Sequence, residues 1–211
     1  MEKFEFKNYE DGKEMLLLED YTLKNLPEIV ADHIEYTIRH KKALIMTYME
    51  LSGLVPSEKS RLWLHDMEKL WLYYNMQDCQ KAHEIHVTYN SHHYPNWKSE
   101  DDKREAVLDY ECARITKPDK PRNALETIRV FRPETEEQLR PFLIEWNINS
   151  EERKEFEFNL YKQNRDYVET RLYDAMRYWM GVMPMCSNRQ IVDFETVAKD
   201  FTRKIADMSI F

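Results

Sequence analysis

Glycine is nearly missing from this chain: three of 211 residues, at Gly12, Gly53 and Gly181. Sandwiches and barrels turn on many glycines, so this scarcity points to an all-α protein. No apolar run approaches the length of a membrane span, and the opening MEKFEFKNYEDGKE is too charged for a secretory signal peptide. The three cysteines, Cys79, Cys112 and Cys186, form no CxxC pair and leave one odd thiol, which argues against a zinc ribbon and for a reducing cytoplasm. An excess of positive charge is missing too. The net charge of −8 argues against broad nucleic-acid binding. With 42% hydrophobic and 13% aromatic residues, the composition is that of one globular domain, or one domain with an extension.

Imidazole is also missing from Tyr94 to Phe211, because all seven histidines fall between His33 and His93. Imidazole is the commonest metal ligand, so this crowding makes the His33–His93 window the candidate site. The window centres on His65–Asp66 in RLWLHDMEKLWLYY, with HIEYTIRHKK before it and AHEIHVTYNSHHYP after it.

Residues 1–24 read as a polar arm. A first helix is expected from about Pro27 to Ser52, stopped by Gly53, with His33 and His40 two turns apart on one face. A second helix, entered through Ser57 and Ser60, is expected to carry His65, Asp66 and Lys69 into one space. A third, over about 77–89, aligns Cys79, His83, His86 and Asn90 before the NSHHYP turn. A fourth, over about 99–115, starts at a Ser99 cap and carries Asp109. After the basic loop TKPDKPRN come helices near 123–130 and 134–145, a long one over 150–180, and another near 190–207. In the long helix Phe156, Leu160, Tyr167, Leu172, Met176 and Trp179 form a stripe that reads as core. Its length also leaves open a homodimer contact, with packing on its own core favoured.

In chain order the chemistry-bearing residues are His40, His65–Asp66, His86, His92–His93 and Asp109. This order resembles the HD superfamily of metal-dependent phosphohydrolases, and HDMEK has the HD-x-x-K form seen in many of its members. More narrowly, HxxxNxHH (His86, Asn90, His92, His93) with His40–Lys41 upstream is similar to an HD-like family of bacteria and phages. The resemblance spans residues 30–128. It implies an HD-like helical core over 25–128, with 129–211 a helical extension packed on it, in the cytoplasm of the cell or of a phage host.

The resemblance further implies one or two divalent ions, with Mn, Fe, Mg, Co and Zn all admissible. His40, His65, Asp66 and Asp109 would hold the first ion, and His86, His92 and His93 the second, with Asp66 bridging. His86 and His92 stand closer together than in the HD relatives whose two metals are best understood. Lys69 would meet a substrate phosphate, and Asp66 and Lys69 are the expected catalytic pair. His33, His83, Asn90, Lys117, Lys120 and Arg122 are further candidates for substrate contact. Independently of any family, imidazoles with carboxylates suit divalent ions in a mixed shell, and such ions activate water for attack on phosphoryl groups. The function expected is hydrolysis of a small phosphorylated molecule, a nucleotide foremost. The alternatives are an HD-type diiron oxygenase and a non-catalytic protein that binds a nucleotide or a partner.

Overall fold

The computed structural model describes residues 26–117, 121–182 and 193–211. The expected N-terminal arm and Lys120 lie outside the described residues. Every regular element among the described residues is helical: α1 (Glu28–Ser52), α2 (Met67–Met76), α3 (Cys79–Tyr89), α4 (Glu100–Thr116), α5 (Ala124–Phe131), α6 (Glu136–Glu145), α7 (Asn159–Gln163), α8 (Arg165–Val182) and α9 (Phe194–Ile205). Single 3-10 turns, Arg61–Leu64 and Pro133–Thr135, precede α2 and α6.

Local chemistry sets several of the helix ends. Gly53 takes the left-handed conformation at φ 69° and returns its N–H to Met49 O, which closes α1. Asp78 and Asp193 cap α3 and α9 through their side chains, and Ser99–Asp102 and Asn123–Glu126 form capping boxes on α4 and α5.

Two expectations need correction. His65 and Asp66 do not share a continuous helix with Lys69. A 3-10 turn carries the chain to Leu64, and Asp66 then adopts φ 56° before α2 begins. The stretch expected as one helix over 150–180 is non-helical to Glu157, turns at Phe158 with φ 54°, and breaks again at Asn164 between α7 and α8. Phe156 therefore packs from outside any helix, Leu172 and Met176 are buried as the stripe requires, Tyr167 is exposed, and the Trp179 side chain lies outside the described residues.

The long α1 runs through two apolar clusters. Val30, Ile34 and Ile38 belong to one, with α2, α3 and Ala198, Phe201 and Ile205 of α9. Ala43 to Met49 belong to the other, with α4, α5, α6 and Ile210. His40 sits on the stretch of α1 between them, so the polar site occupies the seam where the two cores meet. No helix among the described residues is long and apolar enough to cross a membrane.

Candidate metal centre

Asp66 is the vertex of the site. Its left-handed backbone is one that aspartate tolerates better than most residues. The kink takes His65 and Asp66 out of helical register, and both are buried. Asp66 Oδ2 accepts from Lys69 Nζ at 3.1 Å, which leaves Oδ1 facing three imidazoles. His86 Nε2 lies 3.3 Å from that oxygen, His65 Nε2 3.5 Å and His92 Nε2 3.6 Å. On the far side of His65, His40 Nε2 meets Asp109 Oδ1 at 2.6 Å, and His65 Nε2 is 3.8 Å from the same oxygen. His93 Nε2 lies 2.8 Å from His86 Nε2.

Glutamates turn the two best-held rings. His65 Nδ1 is 2.9 Å from Glu105 Oε1, and His86 Nδ1 is 2.6 Å from Glu68 Oε1. Burial opposes ionisation of Glu105, but the Arg61 guanidinium and the His65 bond outweigh it and hold the carboxyl at about 2. A carboxylate only accepts, so His65 donates from Nδ1 and aims Nε2 at Asp66. Arg61 is itself buried and bridges Glu105 through Nε at 2.6 Å and Asp102, the capping residue of α4, through Nη2 at 2.7 Å. Glu68 Oε1 also accepts from the Asn90 amide at 2.6 Å, while Asn90 Oδ1 receives His92 N at 3.3 Å.

Charge is divided unevenly across the site. Burial pulls the His65 pKa down, but Asp66, Glu105 and Asp109 outweigh it and raise it. Burial, reinforced by neighbouring imidazoles, pushes His92 below its ordinary value and His86 and His93 well below it. The lowered values favour the neutral form of those three rings, the form in which imidazole binds a metal. Asp109 is held ionised against burial, chiefly by His40.

The residues fit a cation. His65 Nε2, Asp66 Oδ1 and His92 Nε2 are buried and have no hydrogen-bond partner, a rare condition for polar atoms inside a protein. Ligands at about 2.1 Å from one ion stand about 3.0–3.4 Å apart, close to the 3.3–3.6 Å separations around Asp66 Oδ1. Four sets, His86–His92–His93, His40–His65–Asp66, His40–Asp109–Cys112 and His65–His92–Glu105, each bring ligand atoms within 4.8 Å of one another and could hold a metal ion.

The structure thus gathers His40, His65, Asp66, His86, His92, His93, Asp109 and Lys69 into one cluster. His83 is exposed, its ring 6.3 Å from His86, and His33 bonds Ile29 O at 2.7 Å and sits edge-on to Tyr73, so both are peripheral. Asn90, expected at the substrate, is buried beneath the site as the bridge between Glu68 and His92. Lys117 lies over the Tyr36 ring and Arg122 over Phe131. Sequence reasoning passed over Glu68, Glu105, Arg61 and Cys112. Two signals were available: Glu105 precedes Asp109 by one helical turn, and Glu68 stands inside HDMEK. In comparisons with known proteins, no family model, no curated protein and no solved structure matches the chain.

Proposed function

We propose that the protein is a metal-dependent phosphohydrolase of the HD type, acting on a small phosphorylated substrate, with a nucleotide the leading class, through a metal-activated water. One observation carries the reading: partnerless His65 Nε2, Asp66 Oδ1 and His92 Nε2 converge in a buried seam. A cation satisfies all three at once. The ordered histidines and HD-x-x-K supply the second line of support.

His40, His65, Asp66 and Asp109 form one flank and His86, His92 and His93 the other, with Asp66 Oδ1 facing both. Imidazole and carboxylate donors admit Mn, Fe, Co, Zn or Mg. A divalent ion supplies Lewis acidity toward water and phosphoryl oxygens. Glu105 and Glu68 hold the His65 and His86 rings in orientation. Lys69 is only 13% exposed, and Asp66 outweighs the effect of burial to keep it protonated. It anchors Asp66 Oδ2 and places positive charge where a substrate phosphate arrives. His83 and His33 stand at the edge for the rest of an anionic substrate.

The test is a panel of nucleotides and phosphomonoesters given to metal-stripped protein with Mn, Mg, Co or Fe added back. Turnover with at least one ion is expected, lost together with metal binding in Asp66→Ala. No turnover with any ion, combined with parent-like metal binding by Asp66→Ala, would refute the reading. Tight nucleotide binding without turnover would move the protein to the binding class.

A further inference from the structure

Lys41 is wholly buried on α1, next to His40, and has no ion-pair partner among the described residues. Its Nζ donates to Trp63 O at 3.3 Å and, in a closer contact, to His65 O. Those two carbonyls belong to the end of the 3-10 turn and to the residue just before the left-handed Asp66. We propose that Lys41 is a positioning residue of the metal centre: an ammonium clamp that fixes the His65–Asp66 kink to the helix that presents His40.

Helix geometry makes the device economical. Adjacent residues on α1 point about 100° apart, so His40 reaches across to Asp109 at 2.6 Å while Lys41 reaches the main chain of the kink. One rigid helix thereby supplies a ligand and also locks the two ligands of the next element, which fixes their spacing. Among the described residues, carbonyl oxygens are the only hydrogen-bond partners of this ammonium. Asp66, Glu68 and Glu105 supply counter-charge from further off, so the side chain holds backbone geometry without consuming a carboxylate that ligation or ring orientation needs. A buried cation in this place also opposes a metal ion electrostatically, so its position is better explained by the geometry it enforces than by charge neutralisation alone.

The inference rests on the metal reading of the site, and the experiment separates the two. Mn²⁺ affinity is measured by calorimetry on metal-stripped parent and Lys41→Met, with unfolding of both metal-free proteins in parallel. The expected result is a folded Lys41→Met that binds Mn²⁺ about 10–100-fold more weakly, with a changed Mn²⁺ EPR line. Parent-like affinity, within twofold, would overturn the positioning role while leaving the metal reading intact. A parent that binds no ion refutes the metal reading, and the role with it. If Lys41→Met does not fold, the parent decides through the ¹⁵Nζ signal of Lys41, assigned by its loss in Lys41→Arg. That signal is expected to move with Zn²⁺ at the same midpoint as the His65 ring signals, and a signal indifferent to saturating Zn²⁺ overturns the proposal.

Discussion

Glu105→Gln keeps the shape of a side chain on which two ligand-bearing elements depend, and removes its charge. Glu105 is 1% exposed and serves two donors, Arg61 Nε at 2.6 Å and His65 Nδ1 at 2.9 Å. An amide has one oxygen and one NH2 group, so either orientation sets a donor against a donor. Removing one member of a buried ion pair costs about 3–5 kcal/mol. Arg61 keeps Asp102 at 2.7 Å, so the lower end, about 3 kcal/mol, is expected, seen as a fall in Tm of about 6–12 °C for a chain of this size. The His65 ring also loses the partner that aims Nε2, which predicts 10–100-fold weaker metal binding, or about 1.4–2.7 kcal/mol. The sign with pH follows from the depressed carboxyl. Its contribution is complete above the unfolded value of about 4.5 and is lost as pH falls toward the folded value of about 2. The stability gap between parent and variant therefore narrows on acidification from about pH 7 to about pH 3. Chemical denaturation of the metal-free proteins at the two pH values, with Mn²⁺ titration near neutrality, reads all three quantities. Parent-like metal affinity in a destabilised variant would show that Glu105 braces the fold without aiming His65. A gap that does not change with pH would contradict the ionised buried pair.

Metal uptake is expected to strengthen as pH rises, because ligation needs a deprotonated ring and, against burial, Asp66, Glu105 and Asp109 raise the His65 pKa. Mn²⁺ titration at several pH values measures this, and an affinity that weakens as pH rises would contradict the raised His65 pKa. Metal-free stability should fall from about pH 7 to about pH 5. His86, His92 and His93 refuse protons that the unfolded chain accepts, and His65 compensates for one of them; an increase in stability over that range would reverse the assignment. Ile210→Ala should cost about 2–5 kcal/mol in denaturant unfolding. Ile210 is fully buried, and its carbonyl and that of Ser209 receive Ser60 Oγ and Arg61 N at the turn leading to His65. Gly53→Ala should cost about 1–2 kcal/mol from left-handed backbone strain alone, since an added Cβ meets nothing within 4 Å. A much larger loss would reveal a contact the structure does not show.

Much of this architecture is legible from local rules. Scarce glycine and 3.6-residue patterning announce helices, and Gly53, Ser99 and Asn123 mark ends because caps and left-handed turns are short-range chemistry. Long-range packing decided the kink at Asp66 and the break at Phe158. Helix propensity alone would run through both, but the chain turns there to place neighbouring segments against α1 and α4. The inward glutamates were hidden for a related reason. Among 39 acidic residues a buried carboxylate has no sequence mark of its own, and only its partners distinguish it.

By itself the sequence determined the helical class and the supply of candidate ligands: His40, His65, Asp66, His86, His92 and His93 crowded into one window, with Asp109 following on a helix that carries no histidine. Tertiary structure decided which atoms meet. Asp66 Oδ1 was selected over Oδ2 by Lys69, the His65 and His86 rings were turned by glutamates from other elements, and the kink was tied to α1 through Lys41. Ligand identity is a property of residue type and order. Ligand geometry depends on contacts between residues far apart in the chain, and those exist only once the two apolar clusters have closed around the seam.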